Sequence, residues 1–125
     1  MEKKIFNSPE LSKAGPYSHA VEGCGMVYFS GQIPVDAATG EKILDNVKAA
    51  TALVFENIKK ALAATGLNLE NVIKTTVFLR DMSDFAAMNE VYSAYFPADP
   101  PARSCVAVKE LPLGVPVEIE VIALR

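Results

Sequence analysis

Pro101-Ala102-Arg103-Ser104-Cys105 and Val117-Glu118-Ile119-Glu120 are the stretches on which the reading of this chain turns. Both read as strands, the first continuing through Val106 and Val108, the second spanning Val115 to Leu124. Side chains alternate between the two faces of an extended strand, so Arg103 and Cys105 point one way together, as do Glu118 and Glu120. A guanidinium and a carboxylate set among apolar strand residues are costly to bury unless something pairs with them. Either they pair with each other or they await a polar ligand, and the two alternatives imply different proteins.

Working outward, Pro97 and the stiff Ala98-Asp99-Pro100-Pro101 loop deliver the chain into the Arg103 strand. Before them, Phe85, Met88, Tyr92 and Tyr95 share one face of a helix that Asp81 or Ser83 could cap. Val72 to Leu79 is a β-branched strand. A longer helix is expected to start near Asp45 and run to Thr65, carrying Val47, Ala50, Val54, Ile58, Ala61 and Leu62 at helical spacing. Gly66 stands where a left-handed cap would close it. Towards the N-terminus, Ala20–Val21 and Met26–Ser30 are two short strands joined through Glu22-Gly23-Cys24-Gly25, and Asp36 to Gly40 is a further turn. The order is strands, helix, strand, helix, strands, which predicts an α+β or split βαβ arrangement with two helices on one face of a mixed sheet. The other face would carry Ile122 and Leu124 beside Glu118 and Glu120, and a second copy of the chain is its economical cover.

At 125 residues, with no linker, repeat or shift in composition, residues 1–125 form a single domain. Half the residues are apolar and 22% are charged, which is a globular and not a disordered composition. A net charge of −3 without a basic run argues against nucleic-acid or anionic-membrane partners. No segment has the length of a membrane span or the pattern of a signal peptide. Two cysteines, one histidine and no CxxC pattern predict reduced thiols, no metal site and a cytoplasmic protein.

Among the polar residues, Arg103 starts its strand after a rigid loop, so the direction of its fork is well defined for bidentate binding of a carboxylate; a salt bridge is the plainer role. Glu118 alternates out of an apolar strand, either as a site carboxylate or as a solvated charge on an edge strand. Cys105 lacks an activating base, since nothing ties the single histidine, His19, to it, and it reads first as a small buried thiol. Gly15-Pro16-Tyr17-Ser18 is a turn that positions Tyr17. Ser30-Gly31-Gln32 offers a hydroxyl and backbone amides to an anion, or is only a strand end with a bulge. Asn89, one residue past Met88, reads as a helix-flank surface amide.

Gly15-Pro16-Tyr17, Ser30-Gly31-Gln32-Ile33-Pro34, Asn57-Ile58-Lys59, Lys74-Thr75-Thr76-Val77-Phe78, Pro101-Ala102-Arg103-Ser104 and Glu118-Ile119-Glu120 follow one another across nearly the whole chain. In that combination the sequence resembles the YjgF/YER family of reactive intermediate deaminases, in particular its RidA branch. The resemblance implies a chorismate-mutase-like α+β fold and a homotrimer with active sites between neighbouring subunits. It also implies hydrolysis of 2-imino acids such as 2-iminobutanoate and 2-iminopropanoate to 2-oxo acids and ammonia, without a cofactor or metal. Carried onto this chain, it makes Arg103 the carboxylate-binding arginine and Glu118 the acidic catalytic residue. Tyr17, Ser30, Gly31, Asn89 and the backbone of Cys105 would then line the substrate site. Pro100 stands where family members often carry an aromatic residue, after a loop that is often longer, which leaves side-chain preference open. Two other readings stand beside this one: a non-catalytic module binding small carboxylates, for which Glu118 would be of no use, and an RNA-acting protein, against which the acidic charge and single histidine argue.

Overall fold

A computed structural model describes residues 2–125. Six strands form one mixed sheet in the order β1-β2-β3-β6-β4-β5. They are β1 (Lys4–Phe6), β2 (Ala20–Gly23), β3 (Met26–Phe29), β4 (Val72–Leu79), β5 (Ala102–Ala107) and β6 (Val117–Leu124). Every pairing is antiparallel except that of β4 with β5. Helix α1 (Val47–Ala64) joins β3 to β4 with β6 inserted between them, a split βαβ unit, and α2 (Phe85–Tyr95) is the crossover from β4 to its parallel neighbour β5.

The α+β expectation holds, with differences at the ends of elements. Helix α1 begins at Val47 and not at Asp45, because the Asn46 side chain is the cap and accepts from the Ala49 N–H at 3.0 Å. At its other end the Leu67 N–H bonds the Leu62 carbonyl and the Gly66 N–H bonds that of Ala63, with Gly66 at φ +79, the left-handed closure expected of this glycine. Asp81 caps a 3-10 turn, Met82–Asp84, and α2 proper starts only at Phe85 with no side-chain cap of its own. The last strand starts at Val117, two residues later than expected. The strand β1 is additional: three residues recruited to the sheet by β2.

The core lies between the sheet and the two helices. Val77 and Leu79 of β4, and Val117, Ile119 and Val121 of β6, meet Val54, Phe55, Ile58 and Leu62 of α1 and Met88 and Tyr92 of α2. Phe55 is the hub, stacked on Tyr95 at 4.6 Å and edge-on to Tyr92 and Phe96, both at 5.6 Å. The opposite face of the sheet has no such cover. Ile5, Val21, Tyr28 and Ile122 lie in one register row across four strands, with Leu124 beside them, and Ile5, Tyr28 and Leu124 are exposed. Among the described residues no helix is long and apolar enough to cross a membrane.

Candidate active site

The register decides the relation between Arg103 and Glu118. Arg103 stands opposite Thr75 on β4, whereas Glu118 stands opposite Phe78. Positions 75 and 78 are an odd number of residues apart, so their side chains leave opposite faces of the strand. Thr75 is buried under α2, bonded to the Tyr92 hydroxyl at 2.7 Å, so Arg103 and Cys105 belong to the helix-covered face. Glu118, Glu120 and Thr76 belong to the bare one. Within one chain, therefore, arginine and glutamate do not pair. The structure brings the expected site residues together in two groups instead of one.

The first group surrounds Glu118. Its strand is central, flanked by β3 and β4, so the edge-strand alternative fails. The side chain is half-buried, and burial, reinforced by the charge of Glu120, pushes its pKa above the ordinary carboxylate value. It fills the space over Gly31: a Cβ placed there would stand 3.0 Å from the Glu118 carboxyl carbon and would overlap its Oε2. Gly31 is required here for close approach, not for a special φ. The segment after it is pinned to β6 by Gln32, whose N–H and C=O bond the backbone of Ile119 at 2.9 and 3.1 Å.

Ser30 and Tyr17 complete this group. The Ser30 hydroxyl is not a free donor, because it donates to the Ser18 carbonyl at 2.7 Å; towards a ligand it can serve only as an acceptor. Tyr17 sits on a tight turn, its N–H bonded to the Gly15 carbonyl and its phenol oxygen accepting from the Ala14 N–H at 3.3 Å. Glu118, Gly31, Ser30 and Tyr17 line a cleft of about 430 Å³ whose remaining wall is apolar, made by Ile33, Pro112 and Leu113. Leu113 holds φ +58, and Arg80 secures that loop by donating to the carbonyls of Gly114 at 2.9 Å and Leu44 at 3.1 Å.

Two residues that sequence reasoning did not assign hold this cleft in shape. His19 is buried with both ring nitrogens committed: Nδ1 accepts from the Ser8 N–H at 2.9 Å and Nε2 donates to the Ser12 carbonyl at 3.0 Å. Such a ring cannot serve as a catalyst, but it folds the 8–18 loop that presents Tyr17, against which it lies edge-on. Asn57, buried in α1, donates to the carbonyls of Ile33 at 3.1 Å and Val35 at 2.9 Å. Its motif was visible in the sequence; its partners, 22 and 24 residues away, were not.

The second group surrounds Arg103. Asn89 is not a surface amide: its Oδ1 accepts from Arg103 Nη1 at 2.7 Å. The guanidinium carbon lies over the Tyr92 ring at 4.6 Å and over the Phe85 ring at 5.5 Å. Among the described residues no carboxylate pairs with Arg103, and its Nε and Nη2 have no acceptor. A half-buried cation with one edge held and the other free is a prepared seat for a carboxylate. Burial pushes the Cys105 thiol up, with Arg103 opposing only in part, so the side chain is a neutral thiol packed against the core. Among the described residues no three of His, Cys, Asp or Glu gather closely enough to hold a metal ion. A hollow of about 460 Å³ between Leu69, Tyr95 and Asp99 contains neither Arg103 nor Glu118.

Residues 7–125 match the family described as Endoribonuclease L-PSP. A RutC family protein of Pyrococcus horikoshii is 46% identical over 125 residues, covering 100% of this chain and 99% of that protein. A 2-iminobutanoate/2-iminopropanoate deaminase of Salmonella typhimurium is 44% identical over 128 residues, covering 100% of this chain and 99% of that enzyme. Among solved structures, Escherichia coli TdcF with bound serine superposes with a TM-score of 0.92 at 44% identity, over 98% of each chain.

Proposed function

The chain belongs to the Endoribonuclease L-PSP family, and on that premise we propose that it hydrolyses 2-imino acids, among them 2-iminobutanoate and 2-iminopropanoate, to 2-oxo acids and ammonia. The observation that carries this reading is Arg103, held on one edge and unpaired on the other. A half-buried carboxyl group with a raised pKa in the neighbouring cleft, Glu118, is what a pure carboxylate binder would not use. The full-length similarity to an enzyme named for this reaction supports it.

In this scheme Arg103 takes the substrate carboxylate in two parallel hydrogen bonds and so fixes C2 of the imino acid. With the substrate as its protonated iminium (C=NH2+), Glu118 accepts a proton from a water molecule as the water oxygen bonds to C2, and the C=N π electrons neutralise the nitrogen to NH2. The resulting carbinolamine carries a hydroxyl and an amine on one carbon. Glu118 returns its proton to that nitrogen, the C–N bond breaks, and the hydroxyl oxygen becomes the 2-oxo group as its own proton is released and ammonia departs. A carboxyl group whose pKa stands above the ordinary value is suited to both halves of this exchange. Such acid–base help is worth ~10²–10⁴-fold. Neither a cofactor nor a covalent intermediate is needed for it, and the free thiols Cys24 and Cys105 suit a reducing compartment such as the cytoplasm.

Because Arg103 and Glu118 leave opposite faces of one sheet, the scheme requires the arginine of one subunit to meet the Tyr17–Ser30–Gly31–Glu118 cleft of a neighbour. A homotrimer packed through the bare sheet face provides three such sites. The test is complementation. A threonine dehydratase generates the imino acid beside semicarbazide, and suppression of semicarbazone formation is followed. Arg103→Ala should be inactive, and Glu118→Gln should keep only a residual rate ~10²–10⁴-fold below wild type. Mixed subunits, unfolded and refolded together in equal amounts, should recover about one quarter of wild-type activity, since one interface in four joins an intact arginine to an intact glutamate. No recovery, with trimers formed, would refute the shared site; full activity of Arg103→Ala would refute the reaction assignment.

A further inference from the structure

Arg103 is held by more than its hydrogen bond. Phe85, Asn89 and Tyr92 occupy positions i, i+4 and i+7 of α2 and therefore one stripe of that helix, its ends ~10 Å apart. That spacing matches a flat cation lying between two rings, and the guanidinium carbon is 5.5 Å from the Phe85 centroid and 4.6 Å from that of Tyr92. Asn89 stands between them and accepts from Nη1. The Tyr92 ring is itself fixed, because its hydroxyl is bonded to Thr75 in the buried layer below. Phe85 is only partly buried and is held by packing alone.

We propose that Phe85 and Tyr92 are positioning residues, a slot that fixes the plane of the Arg103 guanidinium so that its Nε–Nη2 edge faces the carboxylate of the substrate. This rests on the deaminase reading only through the role of Arg103 as carboxylate clamp. The physical case is orientational. A guanidinium free to turn about its stem would offer a carboxylate any of several edges and would lose rotamer freedom on binding. With a ring 4.6 Å and a ring 5.5 Å from its carbon and Nη1 engaged, the Nε–Nη2 edge is the one left without a partner, and much of that freedom is already lost before the ligand arrives.

The slot is tested through ligand binding, using 2-oxobutanoate as the probe in isothermal titration, with steady-state kinetics and thermal melting of each variant. Phe85→Leu keeps most of the volume and removes the ring quadrupole, whereas Phe85→Tyr and Phe85→Trp keep it. Phe85→Leu should weaken 2-oxobutanoate binding and raise KM by about threefold to tenfold, with kcat changed much less. Phe85→Tyr should bind like the wild type. If Phe85→Leu melts too low to assay, Phe85→Met provides the same contrast. Equal binding by Phe85→Leu and wild type, while Arg103→Ala does not bind, would overturn the slot and leave the clamp intact. Binding by Arg103→Ala at wild-type strength would instead overturn the clamp itself.

Discussion

Replacing Gly31 by alanine isolates the position of one carboxylate. The φ of Gly31 lies outside the left-handed region, so the backbone does not bar a side chain, and the three atoms nearest the new methyl all belong to Glu118. It would lie 3.0 Å from Cδ and 3.1 Å from Cγ, where carbon atoms prefer ~3.5–4.0 Å. The carboxyl group must therefore retreat by roughly 0.5–1 Å, and its oxygen Oε2 by at least as much. The end of a half-exposed glutamate moves cheaply, so stability should change by no more than about 0.5 kcal/mol. Catalysis should not be so tolerant, because a misplacement near 1 Å costs about 10²-fold in rate. The assay is imine hydrolysis beside a dehydratase, with urea unfolding to verify stability. A double-mutant cycle supplies the decisive control. In a Glu118→Gln background, already depleted of acid–base chemistry, Gly31→Ala should have almost no further effect. An equal fall in both backgrounds would mean that Gly31 acts through its own backbone, and the steric argument would be refuted.

Glu120→Gln removes the like charge that helps hold the Glu118 pKa up; the acid limb of the kcat/KM profile should move to lower pH, and an unmoved limb would leave burial as the sole cause. The same linkage gives a stability sign: a carboxyl raised on folding favours the folded state below the unfolded pKa near 4.5 and loses that contribution as pH rises through its folded pKa, so Glu118→Gln should stabilise at pH 7 and lose this advantage towards pH 4. Asn57→Asp exchanges two buried donors for an acceptor and should cost about 2–4 kcal/mol in urea unfolding; a cost below 1 kcal/mol, on the order of one exposed hydrogen bond, would contradict the role given to Asn57 in holding the Ile33–Val35 segment. Cys105→Ala should leave kcat/KM nearly unchanged, because the thiol is neutral and packed; loss of activity with retained folding would reinstate it as a nucleophile.

What the chain reveals of itself depends on how far apart the partners lie. Helix α1 was legible because Val54, Ile58, Ala61 and Leu62 repeat at helical spacing and Gly66 closes the last turn. Its first residue was misplaced by the presence of two adjacent capping residues, Asp45 and Asn46, between which only the bond to Ala49 decides. Strand β1 was missed because Lys4-Ile5-Phe6 has little pattern of its own and is a strand only by pairing with β2. Arg103 and Glu118 were both legible as costly charges in apolar strands. Their opposition was not, since alternation orders side chains along one strand and says nothing about the register between two. Asn89 was misjudged for the same reason: its stripe of α2 faces Arg103 only after β5 has been laid beside β4. The spacing of Phe85, Asn89 and Tyr92 was present all along and would have shown the slot, had the strand beneath it been known.

The separation of arginine and glutamate onto two faces is itself a functional arrangement. Had the register placed them side by side, the guanidinium would have taken Glu118 as its bidentate partner, and both would have been neutralised before any ligand arrived. A substrate carboxylate would then have to displace a bound one, and the glutamate, its pKa depressed by the cation, would be a poor proton carrier. Placing Arg103 under α2 avoids both losses. The rings of Phe85 and Tyr92 and the amide of Asn89 stabilise the cation without neutralising it. On the other face, Glu118 has Gly31 and Glu120 for company, and its pKa rises instead of falling. Each charge is thus kept reactive by being denied the other within its own chain. In the proposed scheme, subunit association would reunite them at a distance long enough for an imino acid and a water molecule to fit between. On this argument, moving the carboxylate to the helix face beside Arg103, as in Cys105→Glu, should abolish 2-oxobutanoate binding by forming the very ion pair that the fold avoids. Undiminished binding in that variant would show that the separation has no bearing on the site.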